Sequence, residues 1–184
     1  MTDAIEIATT NLLLRYYTAE DAPRIYELIT DEEVIKAIGV PYPYEMKHAE
    51  EWIATHQNML EKKTGMPMAV VLKRTGELID DASLVNMRMP HRHAELGYWL
   101  GRPYWGNGYA TEAARALLEY AFTELEMNRI FASYLLENKK SEYILKKLGM
   151  KYEGVFRQHV NHHGVYSDLA YCAVLRQEWF TAMC

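Results

Sequence analysis

The sequence predicts a single α/β domain, residues 1–184, in which a mixed sheet carries helices on its faces. The length of 184 residues and the 49% hydrophobic content suit one globular domain with its own core. Strand-like segments come in a run in the middle of the chain and then alternate with helical segments. A run of strands favours antiparallel neighbours and alternation with helices favours parallel ones, so we expect both in one sheet.

The first half of the chain predicts a strand, two helices and three further strands. The apolar segment 12–17 is strand-like, and Thr18 with Asp21 has the spacing of a capping box at a helix start. A longer helix is expected over about 45–62, and the acidic segment 31–38 before it is assigned no element. The three strands that follow are expected at 66–73, 77–89 and 93–100.

The second half alternates helices and strands. A glycine-rich turn at 101–108 precedes a helix whose alanines and leucines recur on one face. Asn138 is a helix cap and Gly149 a helix stop by residue type. The remaining elements are expected as a strand at 129–137, a helix at 139–148, two strands around a turn at 162–164 and a last helical turn at 177–183.

Composition and charge exclude several classes of protein. A net charge of −5 argues against electrostatic binding of nucleic acid. The apolar runs are shorter than the ~20 residues that span a bilayer, and the N-terminus lacks the pattern of a secretory signal. Two cysteines make no disulfide framework, so we expect a cytoplasmic protein. The histidines at 91, 93, 162 and 163 lack ligand partners at metal-site spacing, so we expect no metal.

The segment 96–114 is the most informative part of the sequence. A strand ends, glycines follow and a helix begins. A helix N-terminus has unpaired N–H groups and a partial positive charge, and glycines let a ligand approach the backbone. This arrangement suits a pyrophosphate, although it matches neither the dinucleotide fingerprint nor the P-loop. A tight connection without any ligand remains the other interpretation at this point.

The glycine turn also belongs to a resemblance that covers nearly the whole chain. Residues 105–110, Trp-Gly-Asn-Gly-Tyr-Ala, resemble the coenzyme A loop of the GNAT acetyltransferases. Gly108 and Ala110 match the last two places of that loop, and Trp105 stands where Gln or Arg is usual. Further segments are similar, in the same order, to the ribosomal-protein N-acetyltransferase-like branch of the family: 9–15, 94–101, 104–114, 128–130, Asn138 with Ser141, and 144–150.

The resemblance implies acetyl-CoA as the cosubstrate and a sheet that splays between the fourth and fifth main strands. These are the segments 95–100 and 129–137, and the pantetheine arm would lie between them. The pyrophosphate would rest on the amides of 106–110. The residues that the resemblance assigns to the cofactor are Trp99, Leu100, Gly106, Asn107, Gly108, Tyr109, Ala110, Thr111 and Asn138.

Glu95 is the candidate catalytic base. Acetyl transfer to an amine needs a neutral nitrogen, a polarised carbonyl and a protonated or stabilised thiolate. Glu95 lies near the start of the central strand among apolar neighbours, and in the resembled branch a Glu at this place is often proposed as the base, acting directly or through water. The other interpretation is a structural carboxylate bound to backbone or to a cation.

Ser141 is the candidate proton donor to the thiolate. Many GNAT enzymes use a Tyr on the helix after the splayed strand, and Leu145 occupies that place here. Ser141 lies one turn earlier on this helix, and Tyr143 is a weaker alternative. For Asn138 and Ser141 helix capping is the competing interpretation. Cys172 lies in an apolar strand and is expected to be a buried thiol rather than a nucleophile.

The acceptor is left open by the sequence. Tyr42 to Tyr44 form a loop that, by resemblance, faces the acceptor. One carboxylate of Asp80 and Asp81 would attract a cationic amine if their strand lined the acceptor groove, but we favour a bulge or an edge facing water. We therefore expect an N-acetyltransferase that acts on a primary amine, either a protein N-terminus or a small molecule. The alternative is a catalytically silent acyl-CoA sensor, and a homodimer is left open.

Overall fold

The computed structural model describes residues 5–182, with the side chain of Asp80 left out. Within these residues the chain forms eight strands and six α-helices. In chain order the elements are β1 Glu6–Ala8, β2 Leu12–Arg15, α1 Ala22–Ile29, α2 Glu32–Ala37, α3 Met46–Glu61, β3 Met66–Leu72, β4 Glu77–Arg88, β5 His93–Leu100, α4 Tyr109–Thr123, β6 Arg129–Leu135, α5 Lys139–Lys147, β7 Lys151–His162, β8 Val165–Leu175 and α6 Arg176–Ala182.

All eight strands belong to one sheet in the order β1-β2-β3-β4-β5-β6-β8-β7. The pair β5–β6 is parallel, and each of the other neighbouring pairs is antiparallel. The mixed sheet expected from the order of the elements is therefore confirmed.

The sheet parts between β5 and β6. Their parallel pairing is confined to one end and stops at Glu95 opposite Phe131. On the outer sides the pairing continues, since β5 stays in register with β4 as far as Leu100 and β6 with β8 as far as Leu135. This opening is the predicted splay, because the expected fourth and fifth main strands are β5 and β6 once the short β1 is counted.

Helices cover both faces of the sheet. On one face the buried side of α4 packs on the strands through residues such as Ala113, Leu117 and Leu118. On the other face α1 and α3 form a second cluster that includes Ile25 and Ala49. Burial of these apolar stripes drives the helices onto the sheet, and it leaves the end of the parted strands beside the start of α4.

The structure adds two elements to those expected. Strand β1 precedes the first predicted strand. The acidic segment forms α2, because the Asp31 carboxylate accepts the Glu33 backbone N–H at 2.9 Å while Val34 and Ile35 are buried. The last helix begins at Arg176, and the Met183 end of the prediction lies outside the described residues. None of the helices within 5–182 is long and apolar enough to span a membrane.

Candidate active site

The glycine turn places the N-terminus of α4 beside the opening between β5 and β6. Gly108 is the N-cap with φ +82°, and Gly106 has φ +81°, a left-handed conformation that favours glycine. A Cβ atom at either position would meet no described heavy atom within 4 Å. A ligand can therefore approach the turn and reach the unpaired N–H groups of the first helical turn. This arrangement suits a diphosphate.

Trp105 fixes the turn to the end of β5. Its indole Nε1–H donates a hydrogen bond to the Leu100 carbonyl at 2.6 Å. The Asn107 side chain turns back and donates to the Tyr104 carbonyl at 3.0 Å. Lys140 of α5 lies with its Nζ 4.1 Å from the Trp105 ring centroid, which brings a positive charge close to the turn. Trp105, in the place of the usual Gln or Arg, thus holds the turn against the end of β5.

Helix α5 lies beside the opening between β5 and β6. The Asn138 Oδ1 accepts the Ser141 backbone N–H at 3.1 Å, which is the capping contact anticipated for this pair. Tyr98, on the part of β5 beyond the divergence, donates its hydroxyl to the Ser141 carbonyl at 3.4 Å. Leu145 is only 2% exposed in the core, whereas Tyr143 is 60% exposed. The sequence did not single out Tyr98, whose hydroxyl brings β5 into contact with α5.

Glu95 lies at the closed end of the opening, as the last residue of β5 that pairs with β6. Its side chain is half-buried. One carboxylate oxygen accepts the Ser133 hydroxyl at 2.8 Å, and the other accepts the Asn86 side-chain N–H at 2.8 Å. These two donors, one on each neighbouring strand, hold the carboxylate where the strands begin to part.

A cavity of about 540 Å³ lies on the α3 face of the same strands. That volume is typical of a small-molecule site. Its floor is formed by β4 and β5, its roof by α3 and its outer wall by the loop 38–41 with Tyr44. Tyr42, on the loop expected to face the acceptor, is exposed, and its ring contacts His163.

Asp81 is the buried carboxyl of this floor. Its side chain is 5% exposed, and its Oδ1 accepts hydrogen bonds from Ser83 at 2.7 Å and from the Tyr17 hydroxyl at 3.0 Å. Burial nevertheless raises the pKa of Asp81 to about 7. A bulge is present where β3 and β4 shift register, but the expectation that this residue faces water is wrong, because β4 is an interior strand covered by α3.

His56 of α3 faces the same cavity. It is 5% exposed and lies between the rings of Trp52 and Tyr17, with centroids 4.5 and 5.0 Å away. Neither ring nitrogen has a hydrogen-bond partner among the described residues. Burial lowers its pKa to about 4, so the ring is neutral at pH 7. The only sequence signal for His56 was a polar ring within the apolar stripe of α3.

His162, His163 and Cys172 do not line the cavity of about 540 Å³. His162 and His163 contact the carbonyls of Lys36 and Ile35 and so join the β7–β8 turn to α2. Within residues 5–182 no group of three or more potential ligands could hold a metal ion. Cys172 is buried as expected, and burial raises its pKa to about 11, which disfavours the thiolate.

Comparison with known proteins identifies the family. The model of the acetyltransferase (GNAT) domain matches residues 11–151. The uncharacterized N-acetyltransferase YoaA of Bacillus subtilis is 30% identical over 162 residues, which are 88% of this chain and 92% of that protein.

Two solved structures share the fold. A GNAT-family acetyltransferase from Bacillus anthracis is 28% identical with a TM-score of 0.83, covering 95% of this chain and all of the other. The ribosomal-protein-S5-alanine acetyltransferase of Vibrio fischeri has a TM-score of 0.84 at 19% identity, covering 95% and 98%.

The chain belongs to the GNAT family of acetyltransferases. The family predicted from the ordered set of motifs along the chain is thereby confirmed, as is the similarity to ribosomal-protein acetyltransferases. The protein is accordingly an N-acetyltransferase, and acetyl-CoA is its cosubstrate.

Proposed function

We propose that this enzyme acetylates a primary amine, of a small molecule or of a protein N-terminus, without a covalent enzyme intermediate. The observation that carries the proposal is the parting of β5 and β6 directly beside the open N-terminus of α4. The cavity of about 540 Å³ beneath α3 is lined by Gly97 to Trp99 of β5, the part of the strand that borders this opening. Two substrates can thus meet at one strand, and proximity of this kind lowers the barrier to direct transfer.

The cosubstrate is proposed to lie in the opening and along the glycine turn. When bound, acetyl-CoA supplies the activated carbonyl. The main chain of β5 beyond Glu95 has no β6 partner there and offers its free edge to the pantetheine arm. The open N–H groups of the turn suit the diphosphate. The residues proposed to hold it are Trp99, Leu100, Gly106, Asn107, Gly108, Tyr109, Ala110, Thr111 and Asn138.

Glu95 is proposed as the base that removes the proton lost when the new C–N bond forms, directly or through water. Its location at the closed end of the opening supports this role, and the donors Ser133 and Asn86 orient its carboxylate. Ser141 is proposed as the proton donor to the leaving thiolate. Its location on α5, which Tyr98 contacts, supports that role, and the buried Leu145 offers no proton.

The silent acyl-CoA sensor has no support from the comparisons, whose relatives are named as acetyltransferases. The raised pKa of Cys172 agrees with direct transfer, because a buried neutral thiol is a poor nucleophile. The single domain spanning 1–184, the cytoplasmic location and the homodimer stay predictions.

A thiol-release assay with acetyl-CoA tests the proposal across a panel of small amines and N-terminal peptides. Glu95→Gln should fold normally and lose roughly 10²–10⁴-fold in kcat, as expected for the loss of a general base. Glu50→Gln is the matched control, since Glu50 is exposed on α3 and does not line the cavity. Turnover of Glu95→Gln within a few-fold of wild type would remove Glu95 from the mechanism. Coenzyme A binding without transfer to any amine would favour the sensor.

A further inference from the structure

Gly97 leaves a gap in the cavity floor between two carboxyl side chains. Alternate residues of a strand share a face, so Glu95, Gly97 and Trp99 of β5 lie on the same side. Asp81 of β4 is paired with Trp99, and Ser83 is paired with Gly97. A Cβ atom at Gly97 would meet nothing nearer than the Ser83 carbonyl at 4.0 Å. The position over Gly97 is therefore open.

Both carboxyl-bearing residues are neighbours of Gly97 in the sheet. Glu95 is two residues away along β5, roughly 6.7 Å between Cα atoms. Asp81 is the diagonal neighbour of Gly97 on β4, about 7–8 Å away. A nitrogen atom held over Gly97 would thus lie between the strand positions of Glu95 and Asp81, and of these two residues Asp81 lines the cavity.

The groups around the gap are suited to an ammonium ion. Asp81, Ser83 and one nitrogen of the neutral His56 ring are hydrogen-bond acceptors that face the cavity. An ammonium carries three N–H donors and no acceptor, and aromatic faces such as those of Trp52 and Trp99 attract a cation. The buried nitrogens of His56 have no partner in the described protein, and an ammonium supplies one.

We propose that this cavity binds the acceptor as a primary ammonium ion and that Asp81 removes the first of the two protons that the nitrogen must lose. This inference rests on the proposed acetyl transfer and names its substrate class. In the step an N–H bond breaks, its electron pair stays on nitrogen, and the proton forms an O–H bond with the Asp81 carboxylate. A neutral amine and a neutral carboxyl result, and the carboxyl later releases its proton to solvent. Glu95 is left to take the second proton.

Burial of Asp81 makes this proton transfer less unfavourable. An alkyl ammonium such as that of Lys has a pKa near 10.4, and an ordinary Asp is far too weak a base for it. With the pKa of Asp81 raised to about 7, the equilibrium for proton transfer from the ammonium is about three powers of ten more favourable than with an ordinary Asp. The other titratable groups that face the cavity or Asp81 itself are Tyr17, Tyr44, His48, Glu51, His56 and Tyr98.

The walls restrict the rest of the acceptor. They are largely apolar, with Trp52, Met59 and Val40 among them, and the volume is about 540 Å³. A compact amine with an apolar or aromatic body fits that space, whereas a folded protein presents at most its terminal residues there. The inferred acceptor is therefore a small apolar or aromatic primary amine.

Calorimetry without acetyl-CoA tests the inference on the intact protein at pH 8, where Asp81 is mostly ionised. The probes are 2-phenylethylamine, n-hexylamine and the uncharged 2-phenylethanol. Asp81→Asn should weaken the binding of both amines at least 10-fold and change that of the alcohol less than 2-fold. His56→Phe, which keeps a ring between Trp52 and Tyr17, should weaken amine binding several-fold. Glu50→Gln is the control on the same helix.

Equal amine affinity in Asp81→Asn and wild type would overturn the inference. So would a parallel loss of alcohol binding, or failure of both amines to bind the wild-type protein. Because no acetyl-CoA is present, Asp81-dependent amine binding would stand even if no acetyl transfer were found. Conversely, transfer to N-terminal peptides that Asp81→Asn leaves unchanged would retain the proposed function and refute the role of Asp81.

Discussion

Replacing Asp81 with asparagine should stabilise the protein at alkaline pH, although the side chain belongs to the proposed site. The carboxyl has a pKa of about 7 when folded and 3.8 as a reference value. The folded protein therefore holds a proton that the unfolded chain releases between these pH values, and its free energy of unfolding falls as the pH rises through them. Above pH 7 this loss is about 4 kcal/mol, and the amide variant does not suffer it.

Urea unfolding of wild type and Asp81→Asn at pH 5 and pH 8.5 measures this effect. The stability difference should move by about 3 kcal/mol in favour of the variant between the two pH values. Altered hydrogen bonds to Ser83 and Tyr17 contribute at both pH values, and His56 titrates in both proteins, so these effects largely cancel. Glu50→Gln, at an exposed position, should show no such trend. A difference that is constant with pH, or that favours wild type at pH 8.5, would refute the burial of an ionisable carboxyl.

Three further predictions concern the other parts of the site. Gly108→Ala should lower the free energy of unfolding by about 1–2 kcal/mol, because Gly108 has a φ of +82°, and it should weaken coenzyme A binding measured by calorimetry. Gly76→Ala is the matched control, since Gly76 has φ +74° in a distant turn. It should cost similar stability and leave coenzyme A binding intact. Ser141→Ala should lower kcat at saturating acetyl-CoA with little change in KM, and an unchanged kcat would exclude Ser141 as the proton donor. His56→Phe should gain stability relative to wild type as the pH falls from 6.5 towards 4. The reason is that the folded pKa of His56 is lowered to about 4, so the wild-type protein loses stability in that range. If urea unfolding gives the same difference in free energy of unfolding between the two proteins at pH 7 and pH 5, the prediction is wrong.

Much of the fold could be predicted from local patterns. The stripe of α4 and the full extent of β5 follow from periodicity alone. Helix α2 did not, because its six residues are too few for a period and its capping by Asp31 appears only in three dimensions. The parting of β5 and β6 came from the family resemblance, since pairing between strands that are distant in sequence leaves no local signal.

The two halves of the site differ in how far the sequence revealed them. The glycine turn before α4 could be predicted, because the positive φ angles at Gly106 and Gly108 are ones that favour glycine. The inward direction of Asp81 could not, because a bulge in β4 sets which residues face α3 and a slip of one residue reverses the face. In the sequence His56 is one more member of the buried stripe of α3. Only its buried nitrogens, which have no partner among the described residues, mark it as a candidate binding residue.

A crystal structure of the protein with coenzyme A tests the central claim most directly. We expect phosphate oxygens at hydrogen-bond distance, about 3 Å, from the backbone N–H groups of the turn between Gly106 and Ala110, with the pantetheine arm between β5 and β6. A cofactor seated elsewhere, with that turn making no phosphate contact, would contradict it.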